Sequence, residues 1–137
     1  MKITTPIVPY LDKLNLNDRM YTEEAIDKMI EDFNSKKHTI YGEIGYNTDD
    51  IHLTNVSHVI TKLFKKDGQL WAEMKVLETE KGRELEKMIE ADLVKFRTSC
   101  IGTINEDKTV SIEKFITVAA IDKSTDAFED LETLTFD

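Results

Sequence analysis

The fold is decided by residues 56–104, VSHVITKLFKKDGQLWAEMKVLETEKGRELEKMIEADLVKFRTSCIGTI, which follow the pattern strand, tight turn, strand, helix, strand. Apolar and polar residues alternate from Val56 to Phe64 and again from Gln69 to Leu77, which is typical of antiparallel strands with one buried face. Asp67-Gly68 lies between the two runs. This dipeptide favours a two-residue hairpin turn, because glycine accepts the positive φ that such a turn needs. The segment therefore predicts a β-hairpin followed by a helix and another strand.

Two amphipathic helices are predicted along the chain. The helix of the central segment follows Thr79, whose hydroxyl can cap the first turn, and its apolar stripe consists of Leu85, Met88, Ile89 and Leu93. An earlier helix follows Thr22 and has acidic residues in its first turn, where negative charge is favourable. Its apolar stripe runs from Ile26 to Phe33.

The other apolar runs have strand composition. We expect strands at Lys2–Tyr10, His38–Ile44, Phe96–Ile104 and Thr109–Ile121, with a brief additional strand at Ile51–Leu53. Two prolines confine the first of these runs to the edge of a sheet or to an irregular approach to it. Two helices and about seven strands predict an α+β domain. Its core is expected to be a mainly antiparallel β-barrel or strongly curved sheet, flanked by the two helices.

Charge and composition limit the class of function. The 137 residues carry 27 acidic and 18 basic side chains, a formal charge of −9, so we expect no nucleic-acid partner. No apolar run is long enough to span a bilayer and no signal peptide is evident, so no membrane association is expected. The single cysteine favours a reducing compartment. The pattern of carboxylates, histidines and cysteine predicts no metal site and no cofactor.

Six short motifs, in this order and spacing, resemble the prohead maturation proteases of tailed bacteriophages. These are serine proteases of the herpesvirus-assemblin fold, and the resemblance covers residues 12–125. The motifs of this sequence are Asn15–Tyr21 (with Asp18 where glycine is usual), Gly42–Gly45, Val56–Ile60, Leu77–Gly82 (with Glu80 in place of proline), Thr98–Gly102 and Ala120–Asp122. The resemblance implies the assemblin-like fold for a single domain at 1–125, followed by an acidic tail at 126–137.

The resemblance also implies a serine nucleophile and a histidine base, and both are altered here. The position that the family's base occupies is Tyr46, and a phenol of pKa about 10 cannot replace an imidazole of pKa about 6.5 at neutral pH. Ser99 remains available as a nucleophile. In the family an arginine and a glycine follow the serine. Here Cys100 replaces the arginine, and the glycine is displaced to Gly102, which puts the backbone of an oxyanion hole in doubt. The motifs therefore predict a degenerate catalytic site.

If the site is active, its catalytic residues are expected to be Ser99, His58 and Asp122. Ser99 would be the nucleophile, His58 or His52 the base, and Asp122 the group that orients the base. The alternative interpretation of His58 is a strand residue with satisfied hydrogen bonds. Cys100 could also be a nucleophile, although a lone cysteine in a strand is more often a small buried apolar residue. His38 is the weakest candidate.

Three functions remain open from the sequence. The first is a phage head or virion protein, an assembly or structural component that has no peptidase activity and acts by protein–protein binding. The second is an active prohead endopeptidase that uses Ser99. The third is a phage-encoded binder of a host protein. The first predicts partners among capsid, scaffold or portal-region proteins, or a homo-oligomer, in the host cytoplasm during assembly or in the virion. The acidic tail, with apolar residues such as Phe128, could order on such a partner, or it could be a frayed terminal strand or a short helix that packs on its own domain.

Overall fold

The computed structural model describes residues 1–45, 51–125 and 128–133. In these ranges the chain forms two α-helices, seven strands and one 3₁₀ turn. Their order is β1 (Lys2–Val8), α1 (Glu23–Ser35), β2 (Ile40–Glu43), the 3₁₀ turn (Leu53–Asn55), β3 (Val56–Lys66), β4 (Gln69–Val76), α2 (Glu80–Glu90), β5 (Val94–Ile104), β6 (Val110–Asp122) and β7 (Glu129–Thr133). The α+β class with two helices is confirmed. The brief strand expected at Ile51–Leu53 is wrong, because Leu53 begins the 3₁₀ turn.

The predicted hairpin is the β3–β4 pair. The two strands are antiparallel and their last pair is Lys66 with Gln69, so the turn contains two residues, Asp67 and Gly68. Both have positive φ, 52° and 70° respectively. Positive φ at both central positions is the geometry of a type I′ turn, whose twist matches that of the strands it joins. The sequence prediction is confirmed at this turn.

Both helices begin at the predicted caps. The Thr22 hydroxyl accepts the Ala25 amide at 3.1 Å, and the Thr79 hydroxyl accepts the Gly82 amide at 2.9 Å. Each bond satisfies a backbone donor that the first helical turn leaves open. The prediction for Leu93 is wrong, because α2 ends at Glu90 and the Leu93 side chain is 57% exposed.

The strands form two sheets among the described residues. The first is antiparallel throughout, in the order β1-β4-β3-β2, so β1 lies at an edge as its prolines predict. The second has the order β6-β5-β7, with β6 antiparallel and β7 parallel to β5. The hydrogen-bonded strands of the described residues therefore do not close into one continuous barrel. The barrel that the sequence suggested is not confirmed.

The two sheets meet where β2 lies beside β6. The Thr117 hydroxyl donates to the Tyr41 carbonyl at 2.6 Å, and the Gly45 amide donates to the Ala120 carbonyl at 2.7 Å. Apolar residues of both sheets and both helices form one buried cluster, which includes Ile7, Ile26, Met29, Leu70, Met74, Leu85, Phe96, Phe115 and Val118. The junction and this shared core hold the strands that carry the candidate site residues.

Part of the segment that was predicted as a tail is a strand of the domain. β7 pairs with β5 from Thr98 to Gly102, and the Thr98 amide donates to the Phe128 carbonyl at 3.1 Å. The Lys95 ammonium lies 4.0 Å from the centroid of the Phe128 ring. Of the two alternatives to an arm that orders on a partner, a terminal strand and a short helix, the strand describes Glu129–Thr133. Residues 126–127 and 134–137 of the predicted tail lie outside the described residues.

None of the helices in the described ranges combines the length and the apolar composition that crossing a bilayer requires.

Candidate functional site

His58 lies on β3 with a fully buried side chain and bonds at both ring nitrogens. Nε2 is 2.8 Å from the Val118 carbonyl oxygen, and Nδ1 is 2.8 Å from the Ser57 hydroxyl. A carbonyl oxygen can only accept, so Nε2 must carry the proton and donate. Nδ1 is then the acceptor, and the Ser57 hydroxyl donates to it. The hydrogen bonds therefore fix one neutral tautomer of His58.

The surroundings of His58 favour this neutral form. Burial lowers its pKa from 6.5 to about 4, although the hydrogen bond to the Val118 carbonyl acts in the opposite direction. The Phe96 ring packs edge-on against the imidazole, with 5.5 Å between the ring centroids. Because its pKa is far below 7, the imidazole is a weak proton acceptor at neutral pH.

Gly42 makes the position of His58 possible. A Cβ atom built on Gly42 would lie 2.1 Å from His58 Nε2 and 2.6 Å from the Val118 carbonyl oxygen. Any side chain at position 42 would therefore collide with both partners of this hydrogen bond. The need for glycine here comes from the close approach of β2, β3 and β6.

Ser99 lies on β5 between β6 and β7, where it pairs with Thr117 and Asp130. Its side chain is 3% exposed. The β5–β6 register is regular from Val94 to Ser99, so successive side chains of β5 alternate between the two faces. Phe96 faces His58, and the side chain of Ser99, three residues later, therefore lies on the opposite face. The structure does not bring Ser99 and His58 together.

Asp122 is exposed at the end of β6, where it pairs with Val94. Thr117, the partner of Ser99, lies five residues before Asp122 on β6. At the rise of an extended strand, Thr117 and Asp122 are about 17 Å apart. The Asp122 carboxylate accepts the backbone amide and the hydroxyl of Ser124, at 2.9 and 2.8 Å. These bonds hold the pKa of Asp122 below its usual value. Its observed bonds therefore stabilise a turn and do not reach an imidazole.

The other candidate residues are exposed, buried in the apolar cluster, or outside the described residues. His52 and His38 are exposed, and the Nδ1 of His38 is 3.1 Å from the Thr39 carbonyl oxygen. Cys100 is 1% exposed within the apolar cluster, in agreement with its interpretation as a small buried residue. Tyr46, which occupies the family's base position, lies outside the described residues. The catalytic assignment to Ser99, His58 and Asp122 therefore stays a prediction.

The sequence motifs do not single out Thr98 as a site residue. By strand alternation Thr98, and not Ser99, is the hydroxyl residue on the His58 side of β5, and it pairs directly with Val118. Its Oγ1 atom is buried and has no hydrogen-bond partner within the described part of the chain. Thr98 follows Phe96 by two residues, so in a strand both side chains point to the same face, and this spacing was the signal in the sequence. It could not be used without knowing that Phe96 faces His58.

No protein-family model and no curated protein matches this sequence. Among solved structures, the chain is similar to the capsid assembly protease gp21 of bacteriophage T4. The two superpose with a TM-score of 0.69 and 18% sequence identity, over 88% of this chain and 80% of the protease chain. At this identity the likeness shows the fold. The chain has a prohead-protease-like fold, as the six sequence motifs predicted.

Proposed function

We propose that this chain is an assembly or structural protein of a phage head, built on the fold of a capsid protease and lacking peptidase activity. The observation that supports this most directly is the state of His58, whose two ring nitrogens bind Ser57 and Val118 on the face of β5 opposite Ser99. The likeness in fold to a capsid assembly protease supports the part of the proposal that concerns the phage head.

A serine peptidase needs a hydroxyl within hydrogen-bond reach of a base whose pKa is near the working pH. Ser99 is almost fully buried, and the pKa of His58 is about 4. Thr98, the hydroxyl residue on the His58 side, is fully buried and closed to a peptide bond. The sequence adds Tyr46 at the position of the family's base. Each of these features supports a function by binding.

The inactive state is tested with a fluorophosphonate probe, which forms a covalent bond with an activated serine. We expect the intact mass of the protein to stay unchanged, because Ser99 is buried and His58 lies on the opposite face of β5. A known serine peptidase in the same reaction shows that the probe is active. Labelling that maps to Ser99 and is lost in Ser99→Ala would contradict the proposal.

The active endopeptidase remains the second candidate, because the similar structure is that of a protease. It requires a rearrangement that exposes Ser99 and supplies a base. A peptidase assay with unfolded capsid protein as substrate distinguishes the two functions. Cleavage that disappears in Ser99→Ala supports the second candidate, and no cleavage by either protein supports the first.

The binding function predicts partners among capsid, scaffold or portal-region proteins, or a second copy of the chain. Tagged protein is incubated with purified phage particles and, separately, with host lysate. We expect phage head proteins to be recovered from the particles. Recovery of a host protein alone would contradict a role in the phage head and favour a host-directed binder.

A further inference from the structure

An open groove lies between the first half of α1 and the start of β6. Its volume is about 670 Å³. One wall is formed by exposed side chains of the helix, and the other by the β5–β6 turn and the first residues of β6. The residues that matter below are Glu24, Asp27, Lys28 and Glu31 of α1, and Asp107 and Ile112 of the opposite wall. None of the candidate catalytic residues lines this groove.

The groove runs along a short open edge of the second sheet. β6 is an outer strand of that sheet, and its edge is closed on either side of the groove. The Val110 amide donates to the Met20 carbonyl at 3.0 Å, and the Phe115 amide donates to the Asp32 carboxylate at 2.7 Å. Between these points lie residues 111–114, at most about 13 Å of strand, and the pairing with β5 shifts register between Ile112 and Lys114.

The backbone amide and carbonyl of Ile112, which is among the residues that line the groove, point away from β5. In an antiparallel pair, the backbone groups of alternate residues point to the same side of the strand. Since the Val110 amide points away from β5, the amide and the carbonyl of Ile112 do so as well. Among the hydrogen bonds of the described residues that lie outside the sheet ladders, none ends on the Ile112 backbone. Such an edge can accept an added strand of a few residues.

The charges of the groove select the chemistry of that strand. Four acidic side chains and one basic side chain line it. The Asp27 carboxylate is 2.7 Å from the Lys65 ammonium, which offsets its charge. The groove then has three acidic side chains, those of Glu24, Glu31 and Asp107, and one basic side chain, that of Lys28. Hydrogen bonds from Thr109 hold the pKa of Asp107 below its usual value, so this carboxylate stays ionised at neutral pH.

We propose that this groove binds an extended peptide segment with basic side chains, which adds to β6 as a strand over residues 111–114. The partner's backbone pairs with the amide and carbonyl of Ile112. Its lysine or arginine side chains lie against Glu24 and Glu31 on the helical wall and Asp107 on the turn. This inference does not depend on the proposed role in the phage head, because it uses neither Ser99 nor His58.

The probe is a fluorescein-labelled decapeptide of alternating lysine and threonine, and its binding is measured by fluorescence anisotropy. A decapeptide of alternating glutamate and threonine is the charge control. We expect the basic peptide to bind and the acidic peptide not to bind, because the groove is acidic. Binding should weaken as salt rises, since exposed charges are screened over about 8 Å at physiological ionic strength. Equal binding of both peptides, or no binding of the basic one, would overturn the proposal.

A matched pair of variants separates the groove from the net charge of the protein. Glu24→Lys with Glu31→Lys reverses the helical wall, and we expect binding to fall at least tenfold. Glu78→Lys with Glu90→Lys makes the same charge change at exposed positions outside the groove and should bind like the original protein. If both pairs weaken binding equally, the peptide is held by general attraction to an acidic protein and the proposal is wrong.

Hydrogen exchange tests the strand addition itself. We expect the Ile112 amide to exchange at least tenfold more slowly when the basic peptide is bound, because it gains a hydrogen-bond partner. The Val110 amide, which already donates to Met20, should change little. Peptide binding that leaves the exchange of Ile112 unchanged would show that the peptide does not pair with β6.

Discussion

At the scale of single residues, the neighbours of a side chain decide its chemistry. His58 has the same ring as any catalytic histidine, yet burial keeps it neutral and two hydrogen bonds hold it in one orientation. Removing the partner of a buried polar group leaves that group unsatisfied and destabilises the fold by about 1–3 kcal/mol. The bonds between His58, Ser57 and Val118 therefore contribute to stability, whatever the chain binds.

Gly42 gives the sharpest prediction at this scale. Gly42→Ala places a Cβ atom 2.1 Å from His58 Nε2, so either the imidazole or β6 must move. We expect the free energy of unfolding to fall by about 3 kcal/mol, from overpacking together with the loss of a buried hydrogen bond. Urea denaturation monitored by circular dichroism measures this change.

Gly68→Ala is the control for Gly42→Ala. Gly68 has a φ of 70° and no other atom near its added Cβ, so alanine there should cost only about 1 kcal/mol, from backbone strain in the turn. If the two variants lose the same stability, the close approach at Gly42 does not have the energetic role assigned to it.

At the scale of elements, local signals and distant contacts have separate roles. The β3–β4 hairpin and both helix starts follow from residues that are close in sequence, such as Asp67-Gly68, Thr22 and Thr79. The position of α1 depends on contacts with a distant strand. Its Phe33 ring packs edge-on against Phe115 with 5.8 Å between the ring centroids.

Asp32 tests how α1 is held against β6. Its carboxylate accepts the Phe115 amide at 2.7 Å and lies 3.5 Å from the Lys36 ammonium. We expect Asp32→Ala to lower the free energy of unfolding by about 1–2 kcal/mol, because a partly buried amide loses a charged acceptor. Asp27→Ala, which removes an exposed ion pair with Lys65 from the same helix, should cost less than about 1 kcal/mol. Equal losses of unfolding free energy in the two variants, measured by thermal denaturation, would show that the hydrogen bond from the Phe115 amide adds no more stability than an exposed ion pair.

At the scale of the whole molecule, stability depends on the junction between the two sheets. His58 of the first sheet donates to Val118 of the second, and Thr117 donates back to Tyr41. These bonds join residues 60 and 76 positions apart in the sequence. Protonation of His58 would place a buried charge at this junction.

The pH dependence of stability follows from the lowered pKa of His58. The unfolded imidazole binds a proton below pH 6.5, whereas the folded one does not until about pH 4. The stability that depends on neutral His58 is therefore fully present above pH 6.5 and falls as the pH decreases toward 4. The contribution lost between pH 7 and pH 5 is about 2 kcal/mol, at 1.36 kcal/mol for each unit between 6.5 and 5.

This contribution is measured as the difference in unfolding free energy between pH 7 and pH 5, by urea denaturation. We expect His58→Gln to reduce that difference by about 2 kcal/mol relative to the original protein, because glutamine does not titrate. His38→Gln, at an exposed histidine, should leave the difference unchanged. A variant His58→Gln with the original pH dependence would contradict the buried neutral state of His58.

The sequence by itself determined the local structure of this protein and the class of its fold. Alternation at period two, helical spacing and the Asp67-Gly68 turn act over fewer than ten residues, so they can be interpreted without coordinates. The six motifs predicted a prohead-protease-like fold, and the similar structure agrees. The motifs also located Ser99 and His58 as candidates, though not their relative positions.

Only the tertiary structure decided which face of β5 meets His58, because the side-chain alternation of a strand has two phases and local sequence does not choose between them. It placed Thr98 on the His58 side of β5 and Ser99 on the other face. It also separated the strands into two sheets and added β7 to β5. These features depend on contacts between residues far apart in sequence, whose register is set by the packing of the whole core.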